Sequence, residues 1–264
     1  MTYTHGHHES VLRSHTWRTA ENSAAYLLPH LHSGLSLLDI GCGPGTITAD
    51  LAQLVAPGAV IGLDAAADVL DQARAHAAER GCTNLIFETG DVFALPYDDA
   101  SFDVVHLHQV LQHLPDPVAA LAEGHRVLRP GGVLAARDSD YRAFTWAPQD
   151  PVLDRWLDLY LEITRRNGHD ARIGPKLLGL AHQAGFGDVT FTTSTWTYAD
   201  PESRAWWGGL WSDRVRVSRF AEQAIDYGLS STEELEAIAG AFVRWAETQD
   251  SVFAVLHGEI LARH

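Results

Sequence analysis

The chain has 264 residues, 46% of them apolar, and nineteen basic against thirty-four acidic side chains give a net charge of −15. That length suits one large α/β domain with insertions, and the negative charge opposes phosphate backbones and anionic lipid, so neither nucleic acid nor membrane is an expected partner. The longest apolar stretches are strand-length, MTYTHGHHES lacks the apolar core of a secretion signal, and Cys42 and Cys82 suggest neither a disulfide framework nor a zinc site; a soluble cytoplasmic protein without a metal is the default.

His5, His7 and His8 read as a polar tail. From about Ser10 to Leu31 the apolar positions recur at roughly helical spacing, which predicts one or two helices forming a lid over residues 1–34. Arg18 lies there, either as a solvated charge or facing a carboxylate. Leu37–Thr48, LLDIGCGPGTIT, follows as a short apolar strand, a glycine-rich turn and the first turn of a helix.

Ala59–Asp64 is a second strand, apolar until it ends in a carboxylate, as expected of strands buried on both faces of a parallel sheet. A helix over 68–80, a strand over 84–89 ending at Gly90-Asp91, a strand over 101–108, a helix over 117–128 and a strand over 133–138 continue the alternation. Strand alternating with helix predicts an α/β fold with a doubly wound, mostly parallel sheet. Residues 141–170 read as a helical insertion, 176–184 as a helix, 189–198 as a strand, 201–248 as helical and 251–261 as a final strand. The expected organisation is one domain: a lid over 1–34, an α/β core over 35–140, and the rest of a seven-stranded sheet with helical lid insertions over 141–264.

Gly41, Gly43 and Gly45 alternate in the turn, so backbone N–H groups can approach a ligand lying over the strand end. Thr46 stands where a dinucleotide fingerprint would have its third glycine, and no Lys-Ser or Lys-Thr follows. A nicotinamide cofactor is thereby weakened and a nucleoside-triphosphate loop excluded. Asp39 with these glycines resembles the first motif of the class I S-adenosylmethionine (SAM)-dependent methyltransferases, whose Rossmann-like fold has a seven-stranded sheet. A second resemblance, HQVLQHLPDPVAALAEGHRVLRPGG, matches the ubiquinone/menaquinone-biosynthesis-like branch through Leu111, His113, Leu114, Leu128, Arg129, Pro130, Gly131 and Gly132. Together the matches cover about residues 35–140.

The resemblance implies SAM as cofactor and S-adenosylhomocysteine (SAH) as product. It places Asp39, Gly41, Cys42, Gly43 and Gly45 at the methionine and ribose portions. Asp64, 25 residues after Asp39, would accept from the ribose hydroxyls with Ala65 beside it, and Asp91 and the Val92 N–H would read the adenine edge. His108 and His113 would line the cofactor.

A base would assist transfer to a hydroxyl or an acidic carbon, and the candidates are His108, His113 and Asp138. Tyr141, Trp207 and Trp211 are candidates to line the substrate pocket, and stripes of this kind also serve as lid packing. The expected activity is methyl transfer to a small-molecule metabolite; the alternative is a SAM-fold protein that binds the cofactor without transferring methyl groups.

Overall fold

The computed structural model describes residues 17–264; the histidine-rich tail and the start of the expected N-terminal helix lie outside the described residues. Eight strands are present among the described residues: β1 (Leu37–Ile40), β2 (Val60–Asp64), β3 (Leu85–Thr89), β4 (Phe102–His108), β5 (Leu128–Ser139), β6 (Thr145–Ala147), β7 (Asp188–Tyr198) and β8 (Val252–Arg263). Their order across the sheet is 3-2-1-4-5-8-6, with β7 also paired to β8. The pairs β1–β2, β1–β4, β2–β3 and β4–β5 are parallel, whereas β6–β8 is antiparallel.

The helices among the described residues are α1 (Ala20–Ser23), α2 (Thr46–Val55), α3 (Ala67–Glu79), α4 (Pro117–Val127), α5 (Pro151–Arg166), α6 (Leu177–Gln183), α7 (Pro201–Val217), α8 (Arg219–Asp226) and α9 (Thr232–Glu247). Three of them begin with the same device. Asp116, Asp150 and Asp200 each accept a backbone N–H of the first turn, and the proline that follows has no N–H to satisfy.

Two compact units result. The first contains residues 17–138, Ile173–Ser194 and His257–His264; the second contains Ser139–Arg172 and Thr195–Leu256. In the first, Leu38, Ile40, Leu63, Val105, Leu107 and Leu134 build an aliphatic core from the parallel strands. The second is held by aromatic rings: Trp156 meets Trp211 edge-on at 4.5 Å and Phe242 at 5.1 Å, and Tyr141 stacks on Tyr160 at 4.0 Å.

Of the one or two helices expected from about Ser10 to Leu31, the described residues hold a short one, α1, and a 3-10 turn. Thr19 caps the Asn22 N–H while the Asn22 amide oxygen returns to the Thr19 N–H, closing a capping box around a single turn. Ala24 then leaves helical geometry at φ −135°, and Leu28–His30, with Pro29 inside it, forms only a 3-10 turn. Strand β6 lies within the insertion expected to be helical and makes the sheet eight-stranded.

Candidate active site

Register brings the functional strand ends together in the first unit. Asp39 lies opposite His106 across β1–β4, and His108 opposite Arg137 across β4–β5. Side chains two apart on a strand share a face, so the His106 and His108 rings lie parallel, 6.5 Å apart.

The glycine turn is held from beneath. The Gly41 and Cys42 N–H groups donate to the Leu63 carbonyl at 2.7 and 3.1 Å. Gly41, at φ +71°, has no room for a side chain, because a Cβ would stand 2.4 Å from a methyl of Val110. Gly45, also left-handed at φ +76°, opens α2. Asp64, at the end of β2, accepts the Gly43 N–H at 2.9 Å and the Ala66 N–H at 3.0 Å, one on each carboxylate oxygen. A carboxylate has about four lone-pair positions, so this half-buried group retains acceptor capacity for a diol.

Asp39 is buried, and both of its oxygens are used inside the protein: Thr48 Oγ1 donates at 2.5 Å and His106 Nδ1 lies at 2.7 Å. It ties β1 to β4 and α2. Cys42 is buried, and burial pushes its thiol pKa far above the ordinary range, which keeps it protonated. Asp91 is exposed and accepts the Phe93 N–H at 3.0 Å, a tight turn that sets the buried Val92 beside it. Ala65 is exposed in the same rim.

The candidate bases differ in environment. Asp138, fully buried at the end of β5, accepts the Leu111 N–H on Oδ2 at 3.1 Å; its Oδ1 has no hydrogen-bond partner among the described residues. Burial pushes its carboxyl up to about 8, opposed by backbone N–H groups of Leu111 and Gln112 and by the charges of Arg137 and Arg18. His108 is driven the other way: burial, then Arg18 and Arg137, hold its pKa well below the usual histidine value. His113 closes a 3-10 turn, Leu111–His113, whose first N–H Asp138 anchors.

Tyr141, Trp207 and Trp211 lie in the second unit, within its aromatic core. Trp207 stacks on Tyr198 at 4.4 Å and meets Trp211 edge-on at 5.9 Å.

Five site residues were missed by sequence reasoning. Tyr26 Oη is buried with no hydrogen-bond partner among the described residues, and burial raises its pKa, opposed by the charge of Arg137 and reinforced by Glu259, Asp138 and Asp39. Arg137, 1% exposed, donates from Nε to Glu259 and Ser194 at 3.1 Å, and Nη2 lies 3.0 Å from His257 Nδ1. Gln109 bridges Arg18 and His257. The available signals were an arginine inside the apolar run VLAARD and the i, i+2 polar pair His257 and Glu259 in the final strand.

The comparisons with known proteins agree with this geometry. A family model described as a methyltransferase domain matches residues 31–167. The chain is 33% identical to an uncharacterized methyltransferase of Schizosaccharomyces pombe, over 99% of this chain and 96% of that one. It is 32% identical to the probable methyltransferase LtbC of Aspergillus luteorubrus, over 98% and 96%. The solved YcgJ protein of Bacillus subtilis, 20% identical, shares the fold with a TM-score of 0.60 over 92% of this chain and 98% of that one.

Proposed function

Because this chain belongs to the SAM-dependent methyltransferase family, we propose that it methylates a small-molecule metabolite and releases SAH. When bound, SAM supplies a methyl group on a sulfonium, open to in-line attack by a nucleophile. The protein's own residues hold the reactants together and exclude water, which contributes on the order of 7–11 kcal/mol in favourable cases.

The observation that carries the reading is the junction of Gly43 with Asp64 at 2.9 Å. It sets a glycine backbone and a carboxylate with spare lone pairs at adjoining strand ends, where an open parallel sheet receives its ligand. In this reading Gly41, Gly43 and Gly45 bear the amino-acid and ribose portions, Asp64 takes the ribose diol, and Asp91 with the Val92 N–H reads the adenine edge. Asp39 acts through the turn it braces. Ala65, Cys42, His108 and His113 line the cofactor.

Asp138 handles the proton of the acceptor. Its unpartnered Oδ1 is the free face of a carboxyl that stays mostly protonated at pH 7. It donates a hydrogen bond below about pH 8 and accepts a proton above it, a role worth roughly 10²–10⁴-fold in rate. His108 serves poorly as a base, because burial, and then the charges of Arg18 and Arg137, oppose its protonation. Tyr141, Trp207 and Trp211, the candidates for a substrate lining, are packed in the aromatic core of the second unit, which favours their other expected role as packing.

The test is incubation with SAM and fractionated metabolite extracts, followed by mass spectrometry. Formation of SAH together with a product heavier by one methylene supports the reading. SAM binding with no SAH formed in any fraction would favour a module that holds the cofactor without methyl transfer.

A further inference from the structure

Strand β7, Asp188–Tyr198, pairs with β8 and with no other strand among the described residues. Its outer side is a sheet edge, a row of backbone N–H and C=O groups that no strand of the sheet answers. Exposure agrees. Successive side chains alternate between the two faces of a strand, and Thr190 and Thr192 on one face and Thr193, Thr195 and Thr197 on the other are all exposed.

Natural sheet edges stay short or carry charge or proline, which keeps other strands from pairing with them. The sheet's other ends are guarded in this way: β3 has five residues, one of them Glu88, and β6 has three. β7 has eleven, and from Val189 to Tyr198 none is charged, proline or glycine. VTFTTSTWTY consists, apart from Ser194, of the β-branched and aromatic residues that suit a pleated strand.

A second copy of the chain presents a matching strand. An antiparallel pair related by a twofold axis keeps each side chain on its own face, so the axis passes through a residue that lies opposite itself. A strand with an odd number of residues has its midpoint on a residue. In β7 that midpoint is Thr193, so symmetry allows the whole strand to pair. Thr192 then meets Ser194, Phe191 meets Thr195 and Thr190 meets Trp196, the hydroxyl and aromatic–β-branched pairs that stabilise sheets. The one charge, Asp188, meets Tyr198, so no like charges oppose each other. That matters in a chain of −15, whose copies repel wherever charged surfaces meet.

We propose that β7 is a self-association edge: two copies pair their β7 strands antiparallel about a twofold axis at Thr193, joining two sheets into one. The pairing consumes both β7 edges, so assembly closes at the dimer. Because the copies repel, the dimer strengthens as salt screens them. The inference is independent of the cofactor reading.

Sedimentation velocity over a concentration series should show reversible monomer–dimer exchange that tightens from low to moderate salt. Thr193→Lys and Thr193→Glu each set like charges against one another on the axis and should weaken the dimer at least tenfold. An equal mixture of the two sets opposite charges there and should restore it. Thr193 is exposed, so both variants should keep the wild-type circular dichroism. Thr193→Cys, in a Cys82→Ser background, brings two Cα atoms to about 4.5–5.5 Å, within disulfide reach, and should crosslink on oxidation. Thr195→Cys lies on the same face but roughly 13 Å along the strand from its copy, and should not. The proposal is overturned by wild type that is monomeric at every concentration, which would leave the edge to a foreign strand. It is overturned equally by a mixture that associates no better than its components, by equal crosslinking of the two cysteine variants, or by association that weakens with added salt.

Discussion

The two units stabilise their interiors by different chemistry. The parallel unit buries charge on purpose-built partners: Asp39 with Thr48 and His106, and Arg137 with Glu259, Ser194 and His257. The aromatic unit buries rings, and the indole N–H groups of Trp146, Trp156 and Trp207 have no acceptor among the described residues. A buried polar group without a partner costs stability, so aromatic area must outweigh that cost in one unit, whereas in the other Asp39 and Arg137 each fix the position of neighbours, although Tyr26 Oη and Asp138 Oδ1 also lack a partner among the described residues. The comparison teaches that the parallel unit is built to position groups and the aromatic unit to bury surface.

Trp156→Ala attacks the aromatic side most directly and should lower stability by about 3–5 kcal/mol, measured by denaturant unfolding. Trp156→Phe keeps most of the ring area and removes an unsatisfied donor, so its cost should be a small fraction of that. Equal losses would show that the indole N–H has a partner of real worth. In the parallel unit, Gly41→Ala forces a Cβ against Val110 at φ +71°. It should cost roughly 1–3 kcal/mol, as overpacking does, and weaken SAH binding at least tenfold in calorimetry.

Asp138 gives a smaller effect with a definite pH signature. Its folded pKa, about 8, lies above the ordinary carboxylate value of 3.8. The folded state keeps a proton that the unfolded chain releases, so this stabilisation is full below about pH 4 and is lost as pH rises through about 8. The slope is at most about 1.4 kcal/mol per pH unit. Asp138→Asn should flatten that part of the stability–pH curve and abolish any rise in methyl transfer near pH 8; an unchanged curve would show that the carboxyl is ionised in the fold. At the small end, Glu162→Ala removes exposed pairs with Arg165 and Arg166 and should leave Tm unchanged, since such pairs contribute little.

The parallel unit was legible because its signals are local. An apolar strand ending in Asp64, another followed by Gly90-Asp91, and the alternating glycines each act within a few residues of their own position. The line from Arg18 through Gln109 to His257 and Arg137 was not legible, because its successive members lie up to 148 residues apart in the chain and meet only through strand order. The pairing of Asp39 with His106 was likewise not legible, since it comes from the register of β1 on β4. Strand β6 is three residues long, too short to show alternation, and exists by pairing with Val252–Ala254. Of the one or two N-terminal helices expected, the described part holds a single turn that Thr19 and Asn22 open and Ala24 ends.

Calorimetric titration of SAH into wild type and Asp64→Ala tests the central claim most directly. Adjoining strand ends are held to bring a glycine turn and a carboxylate to one cofactor. The account predicts tight binding by wild type and a loss of about a hundredfold or more in the variant, near the 2.7 kcal/mol of two powers of ten, with circular dichroism showing the variant folded. Equal affinity in the two proteins would contradict it.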